Sequence, residues 1–154
     1  RGILSNHLHA DGRNGETLLV AGGGSRVTPI SRETVEQDLH TLKMNGHDTF
    51  KFAVRAFTDV CVEALEHNGL KSEDIDLFIP HQANIRIIKG TAKKMNVPME
   101  NVIVTVQDHG NTSAASIPLA LSVGKSEGKI KPGDLVVTEA IGGGLAWGAV
   151  VLRW

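Results

Sequence analysis

Phe78-Ile79-Pro80-His81-Gln82-Ala83-Asn84 is the stretch on which the fold turns. A short apolar run ends in proline, a histidine follows at once, and helical spacing of apolar residues then begins. That order predicts a buried strand, a sharp exit and a helix, with an imidazole at the junction. Ligands in open α/β sheets bind in the crevice beyond the carboxyl ends of the strands. The pattern recurs downstream. Met99–Val106 reads as a second strand, and His109-Gly110-Asn111-Thr112 turns the chain into another helix, Thr112–Glu127. A third run, Leu135 to Ile141, is apolar almost throughout, as a central strand is, and ends in Gly142-Gly143-Gly144. Three strand ends thus carry a histidine, an asparagine and a glycine-rich turn.

The flanks fit an α/β chain. Residues 2–11 alternate weakly and end at Asp11-Gly12, so they read as a strand, with Glu16–Ala21 as its hairpin partner. Gly22-Gly23-Gly24 lacks the spacing and following helix of a dinucleotide turn and reads as loop. Ser31 is a candidate helix cap. Asp48–Asn68 has the clearest helical period, with Phe50, Ala53, Val54, Phe57, Val60, Cys61, Ala64 and Leu65 on one stripe. The helix Ala83–Asn96 is expected to bury Asn84, Ile87, Ile88, Thr91, Ala92 and Met95, leaving Arg86, Lys89, Lys93 and Lys94 as a basic stripe. Pro118 lies past the first turn of Thr112–Glu127, where it would forfeit a hydrogen bond and bend the helix. Ile75–Ile79 and Leu145–Trp154 complete the strands, the latter antiparallel to Leu135–Ile141 across a short glycine link.

Bulk properties narrow the function. A chain of 154 residues can bury a core as one domain. Its net charge of −1 gives no global field for nucleic acid or membrane, and it has no tyrosine and few other aromatics for stacking bases. No apolar run approaches a membrane span. One cysteine, Cys61, rules out an internal disulfide and suits a reducing compartment. It falls on the apolar stripe, where a buried thiol acts as a small hydrophobe. His7 and His9 share a strand face, but no third metal ligand is close in sequence. At a helix N-terminus the dipole disfavours an imidazolium, so His81 is expected neutral and able to donate one hydrogen bond. The Asn111 amide is a second neutral donor, and two such donors suit an oxyanion. The triple glycine could supply a further anion hole from its backbone.

Pro80-His81-Gln82-Ala83-Asn84, then His109-Gly110-Asn111-Thr112-Ser113-Ala114-Ala115-Ser116, then Gly142-Gly143-Gly144 with Trp147-Gly148, resemble the C-terminal half of the β-ketoacyl-acyl-carrier-protein synthase III family. The resemblance covers essentially the whole chain. It implies a thiolase-like α/β half, a five-stranded mixed sheet packed between helices, with residues 1–154 as the C-terminal domain. It implies the condensing step that initiates type II fatty acid synthesis, joining an acyl-CoA starter to malonyl-acyl carrier protein with decarboxylation. His81 and Asn111 would bind the malonyl thioester carbonyl, and the Gly143 N–H would be an oxyanion donor. Asn84, Phe50 and His47 would meet the pantetheine arm, His47 standing where the family commonly has Asn. Ile141 stands where the family has an aromatic. Lys51, Arg86, Lys93 and Lys94 would dock the carrier protein. No metal or other cofactor is implied. The expected partners are acyl carrier protein, acyl-CoA, an N-terminal half and a second copy of the full enzyme, all in the cytoplasm. The family's nucleophilic cysteine belongs to the N-terminal half, and Cys61 does not match it, so this chain alone is expected to be inactive in the complete reaction. A related starter synthase of polyketide metabolism, a non-catalytic carrier-protein-binding module and a nucleotide-binding domain are the alternatives. The last rests only on the glycine runs.

Overall fold

The computed structural model describes residues 1–24 and 29–154. The strands are β1 (Gly2–Ala10), β2 (Leu18–Val20), β3 (Leu42–Met44), β4 (Leu77–Pro80), β5 (Leu135–Gly142) and β6 (Ala146–Arg153). The helices are α1 (Arg32–Glu36), α2 (Gly46–His67), α3 (Ile85–Lys94), the single turn α4 (Val106–His109) and α5 (Ser116–Ser126). The main sheet has the order β1-β6-β5-β4, with β4 parallel to β5 and the other pairs antiparallel. It is an α/β fold with a mixed sheet. Among the described residues no helix is long and apolar enough to cross a membrane.

Central β5 explains the two-layer packing. Leu135 and Val137 face a core built with Val60, Cys61 and Ala64 of α2 and Ile88 and Ala92 of α3. Val136 faces the other way, into a cluster with Leu77, Ile79 and Ala120 of α5. A strand buried on both faces must be apolar at consecutive positions, which is how residues 135–137 read. Helix α2 starts where the Asn45 side chain accepts the Asp48 N–H, and it ends at Asn68 with Gly69 at φ 66°. Burying Phe57, Val60 and Leu65 stabilises it by about 1.5–3 kcal/mol each. Helix α3 can lie close against α2 because Gly90 faces Val54, where an added Cβ would come within 3.3 Å of Cγ2.

The structure corrects the sequence reading at several points. β2 does not pair with β1. Residues after Asp11 wind into a 3-10 segment capped by that aspartate, so the chain does not fold straight back. β1 pairs along its length with β6, while β2 pairs antiparallel with β3 in a separate two-stranded ribbon. Residues 99–106 are not a strand, so the sheet has four strands rather than five. Only Val102 bridges Phe78, and Ile103 N–H donates to the Phe78 carbonyl at 3.0 Å. Beyond that, the Thr105 and Val106 N–H groups are taken by the Gln82 side-chain oxygen at 2.7 and 3.1 Å, and the chain turns into α4. Pro118 is the third residue of α5, within the turn whose N–H groups have no helical partner, so it forfeits no bond there. Asn84 is exposed rather than buried. It caps α3, accepting the Arg86 N–H at 2.8 Å.

Candidate active site

β4 delivers His81 to the sheet edge. The His81 N–H donates to the Glu139 carbonyl at 2.8 Å, extending the β4–β5 pairing one step past Pro80. Behind it, Gln82 is 1% exposed and fully used. Its Nε2 donates to the carbonyls of Pro80 (2.8 Å) and Ile103 (3.1 Å), while its Oε1 takes the two amides named above. One buried side chain therefore fixes the strand exit against residues 103–106. The His81 Nδ1 lies 2.6 Å from Ser116 Oγ at the start of α5. At 8% exposure, burial holds the imidazole below its ordinary pKa. It is therefore neutral at neutral pH, as the sequence suggested, but from desolvation: α3 begins only at Ile85.

Asn111 comes from the turn after α4. Gly110, at φ 65°, redirects the backbone, and Asn111 Oδ1 accepts the Ser113 N–H at 2.9 Å. With the oxygen engaged, the NH2 remains as the donor. His81 and Asn111 line the same cleft of about 570 Å³. Phe50, Ala53, Ile87 and Ile141 form part of its apolar wall. His47, Lys51, Asn84 and Arg86 also line it, so seven of the residues singled out from sequence converge there. Gly143, Lys93 and Lys94 do not line it. Gly143 sits in the β5–β6 link against β2, where a Cβ would be 3.2 Å from the Leu18 carbonyl. Lys93 and Lys94 are in the last turn of α3, on the exposed face that Arg86 begins. Among the described residues none of Lys51, Arg86, Lys89, Lys93 and Lys94 is ion-paired.

Sequence reasoning missed part of the wall and the groups behind the site. Leu18 and Met44 line the cleft from the β2–β3 ribbon. The alternation of residues 42–44 was the available signal, too short to stand out. Ser116 contacts the His81 ring, and Gln82 fixes the backbone beside it, through contacts between distant segments that no local pattern announces. Other reactive groups are committed elsewhere. Cys61 is fully buried, and desolvation raises its thiol pKa far from the thiolate range. His7 and His9 clasp the two carboxylate oxygens of Glu63 at 2.8 and 2.7 Å, tying β1 to α2. That contact and the neighbouring histidines hold the Glu63 carboxyl below its usual range. Glu139 is buried with both oxygens unpartnered, and desolvation raises its pKa strongly.

The chain is a mixed α/β sheet packed between helices, of the thiolase-like class, and it holds a histidine and an asparagine amide in one cleft. Residues 65–154 match the family model for the C-terminal part of 3-oxoacyl-[acyl-carrier-protein (ACP)] synthase III. The chain belongs to that family. It is 60% identical over all 154 residues to β-ketoacyl-[acyl-carrier-protein] synthase III of Ruegeria pomeroyi, covering 45% of that protein. The crystal structure of 3-oxoacyl-[acyl-carrier-protein] synthase III from Aquifex aeolicus matches 99% of the chain with a TM-score of 0.84 at 44% identity, over 44% of its own length. The Thermus thermophilus synthase III structure matches with a TM-score of 0.87 at 42% identity, over 46% of its length. The chain thus spans a little under half of the relatives it matches.

Proposed function

We propose that this chain is the C-terminal half of a condensing enzyme that joins an acyl-CoA starter to malonyl-acyl carrier protein with loss of CO2. The observation that carries the reading is that His81 and Asn111, both uncharged and each with a donor to spare, line one cleft. In this reading both donate to the malonyl thioester oxygen. As CO2 leaves, the electron pair of the breaking C–C bond moves onto that oxygen as an enolate. A charged histidine would lose its proton to the developing anion, whereas two neutral donors stabilise it and keep theirs. The enolate carbon then attacks the carbonyl of an acyl-cysteine, and the cysteine thiolate departs. Cys61 is buried in the core and cannot serve, so the nucleophile belongs to a companion half. The resemblance assigns the oxyanion of that second step to the Gly143 N–H, which lies outside the lining of this cleft.

The cleft suits a pantetheine arm: a polar mouth at Asn84 and His47, and an apolar wall that includes Phe50. Lys51 and Arg86 at its rim, continued by Lys93 and Lys94, form a basic face for an acidic carrier protein. The thioesters are substrates, and the steps above call for no further cofactor. The test is malonyl-carrier-protein decarboxylation, followed as CO2 release, in the protein carrying both halves. His81→Ala and Asn111→Ala should each lower the rate by roughly 10²–10³-fold, the usual cost of an oxyanion donor. Unchanged CO2 release in both variants would reject the reading and leave a carrier-protein-binding module.

A further inference from the structure

Ser116 opens α5 and is 1% exposed. Its Oγ has two polar neighbours, His81 Nδ1 at 2.6 Å and the Gln82 backbone N–H at 3.3 Å. A serine hydroxyl carries one proton and two lone pairs. The Gln82 amide can only donate, so it occupies a lone pair. Among the described residues the hydroxyl proton then has one acceptor, the Nδ1 lone pair of a neutral imidazole. The opposite arrangement, with Nδ1–H donating to Oγ, gives that oxygen two donors and strands its own proton in the interior. Buried donors without acceptors are strongly disfavoured, which selects between the two arrangements.

We propose that Ser116 is a positioning residue: its hydroxyl donates to His81 Nδ1 and so holds His81 as the tautomer with the proton on Nε2. With Nδ1 turned to Ser116, Nε2 is the nitrogen left for the cleft, and it is a donor there rather than a base. Gln82 supports this indirectly. Its four side-chain hydrogen bonds fix the segment whose backbone N–H occupies the Ser116 oxygen. The inference rests on the proposed donor role of His81, but the tautomer exists before any substrate binds and can be read independently of turnover.

The deciding experiment is nitrogen NMR of the full chain at neutral pH with labelled histidine, the His81 signals assigned by their loss in His81→Gln. Wild type should show an unprotonated, pyridine-type Nδ1 and a protonated, pyrrole-type Nε2. Ser116→Ala should give a mixture of tautomers, and Ser116→Thr, which keeps the hydroxyl, should restore one. A protonated Nδ1 in wild type overturns the proposal, and so does a Ser116→Ala spectrum identical to wild type. Should Ser116→Ala not fold, Ser116→Cys replaces it, because a thiol of similar size donates only weakly. In the protein carrying both halves, Ser116→Ala should lower kcat for decarboxylation about tenfold with KM unchanged, less than outright loss of a donor. Survival of decarboxylation in His81→Ala would remove the donor role of His81, while the spectra would still decide what Ser116 does.

Discussion

At the scale of single residues, the site works by keeping groups uncharged. His81 is nearly buried, and desolvation lowers its pKa from the ordinary 6.5. The consequence for stability has a definite sign. When pH falls below about 6.5 the unfolded chain takes up a proton at this residue before the folded chain does, so stability drops. Above that value neither state is protonated and the residue contributes no slope. Urea unfolding of wild type and His81→Gln between about pH 7.5 and about pH 5.5 isolates the effect from the other histidines. Wild type should lose more stability on acidification than the variant. Parallel curves would mean that burial does not disfavour the imidazolium here. The neutrality of His81 could be anticipated from sequence, but its cause could not. A helix dipole was the visible candidate, whereas Ser116 meets the imidazole across 35 residues of chain and Gln82 ties the strand exit to Ile103, 21 residues on. Glu139 shows the same gap between sequence and structure. It reads as one polar residue in an apolar strand, and only packing reveals a buried carboxyl with no partner.

At the scale of elements, long periodic segments were legible and short ones were not. α2 has enough turns for its apolar stripe to show, and β5 is apolar on consecutive positions because helices cover both faces. Residues 99–106 have the composition of a strand, yet after the Ile103 N–H bonds to Phe78 the amides of Thr105 and Val106 bond to the side chain of Gln82. Strand propensity expresses fit to a sheet, and here a competing acceptor ended the ladder. β1–β6 packing was equally hidden, although one glycine marks it. A Cβ on Gly148 would lie 2.6 Å from Leu8 Cδ2 and 2.7 Å from the His7 carbonyl oxygen. The leucine tip can swing away, but the backbone oxygen can retreat only if β1 shifts against β6. Gly148→Ala should therefore cost about 1–3 kcal/mol in chemical denaturation, as overpacking does. Gly90→Ala is the control. Its Cβ would meet only the Val54 side chain at 3.3 Å, and alanine gains about 1 kcal/mol of helix propensity, so the net change should be near zero. Equal losses in the two variants would show that close approach at Gly148 does not govern the pairing.

At the scale of the whole molecule, the cores on the two faces of β5 sit beside apolar surface that this chain leaves uncovered. β1 presents Leu8 at 77% exposure and Ile3 at 68%, and the β2–β3 ribbon presents Leu42 at 67% and Met44 at 60%. Scattered exposed leucines are ordinary on protein surfaces. Here they fall on β1, an edge strand of the main sheet, and on a small ribbon beside the proposed active site, where strands have unused edges. A companion half of the kind proposed above would cover such surface, and the cleft would become a closed site only then. The isolated chain should consequently self-associate as concentration rises and should bind an apolar dye. Co-expression with a companion half carrying the nucleophilic cysteine should abolish both. Charged substitutions at Leu8 and Leu42 should also reduce self-association without unfolding the chain, because neither residue is buried in the chain alone. Light scattering across a concentration series, with dye fluorescence in parallel, makes the comparison. A monomer at every concentration with no dye signal would show that these side chains are ordinary surface, and the argument for a covering half would lose its physical basis.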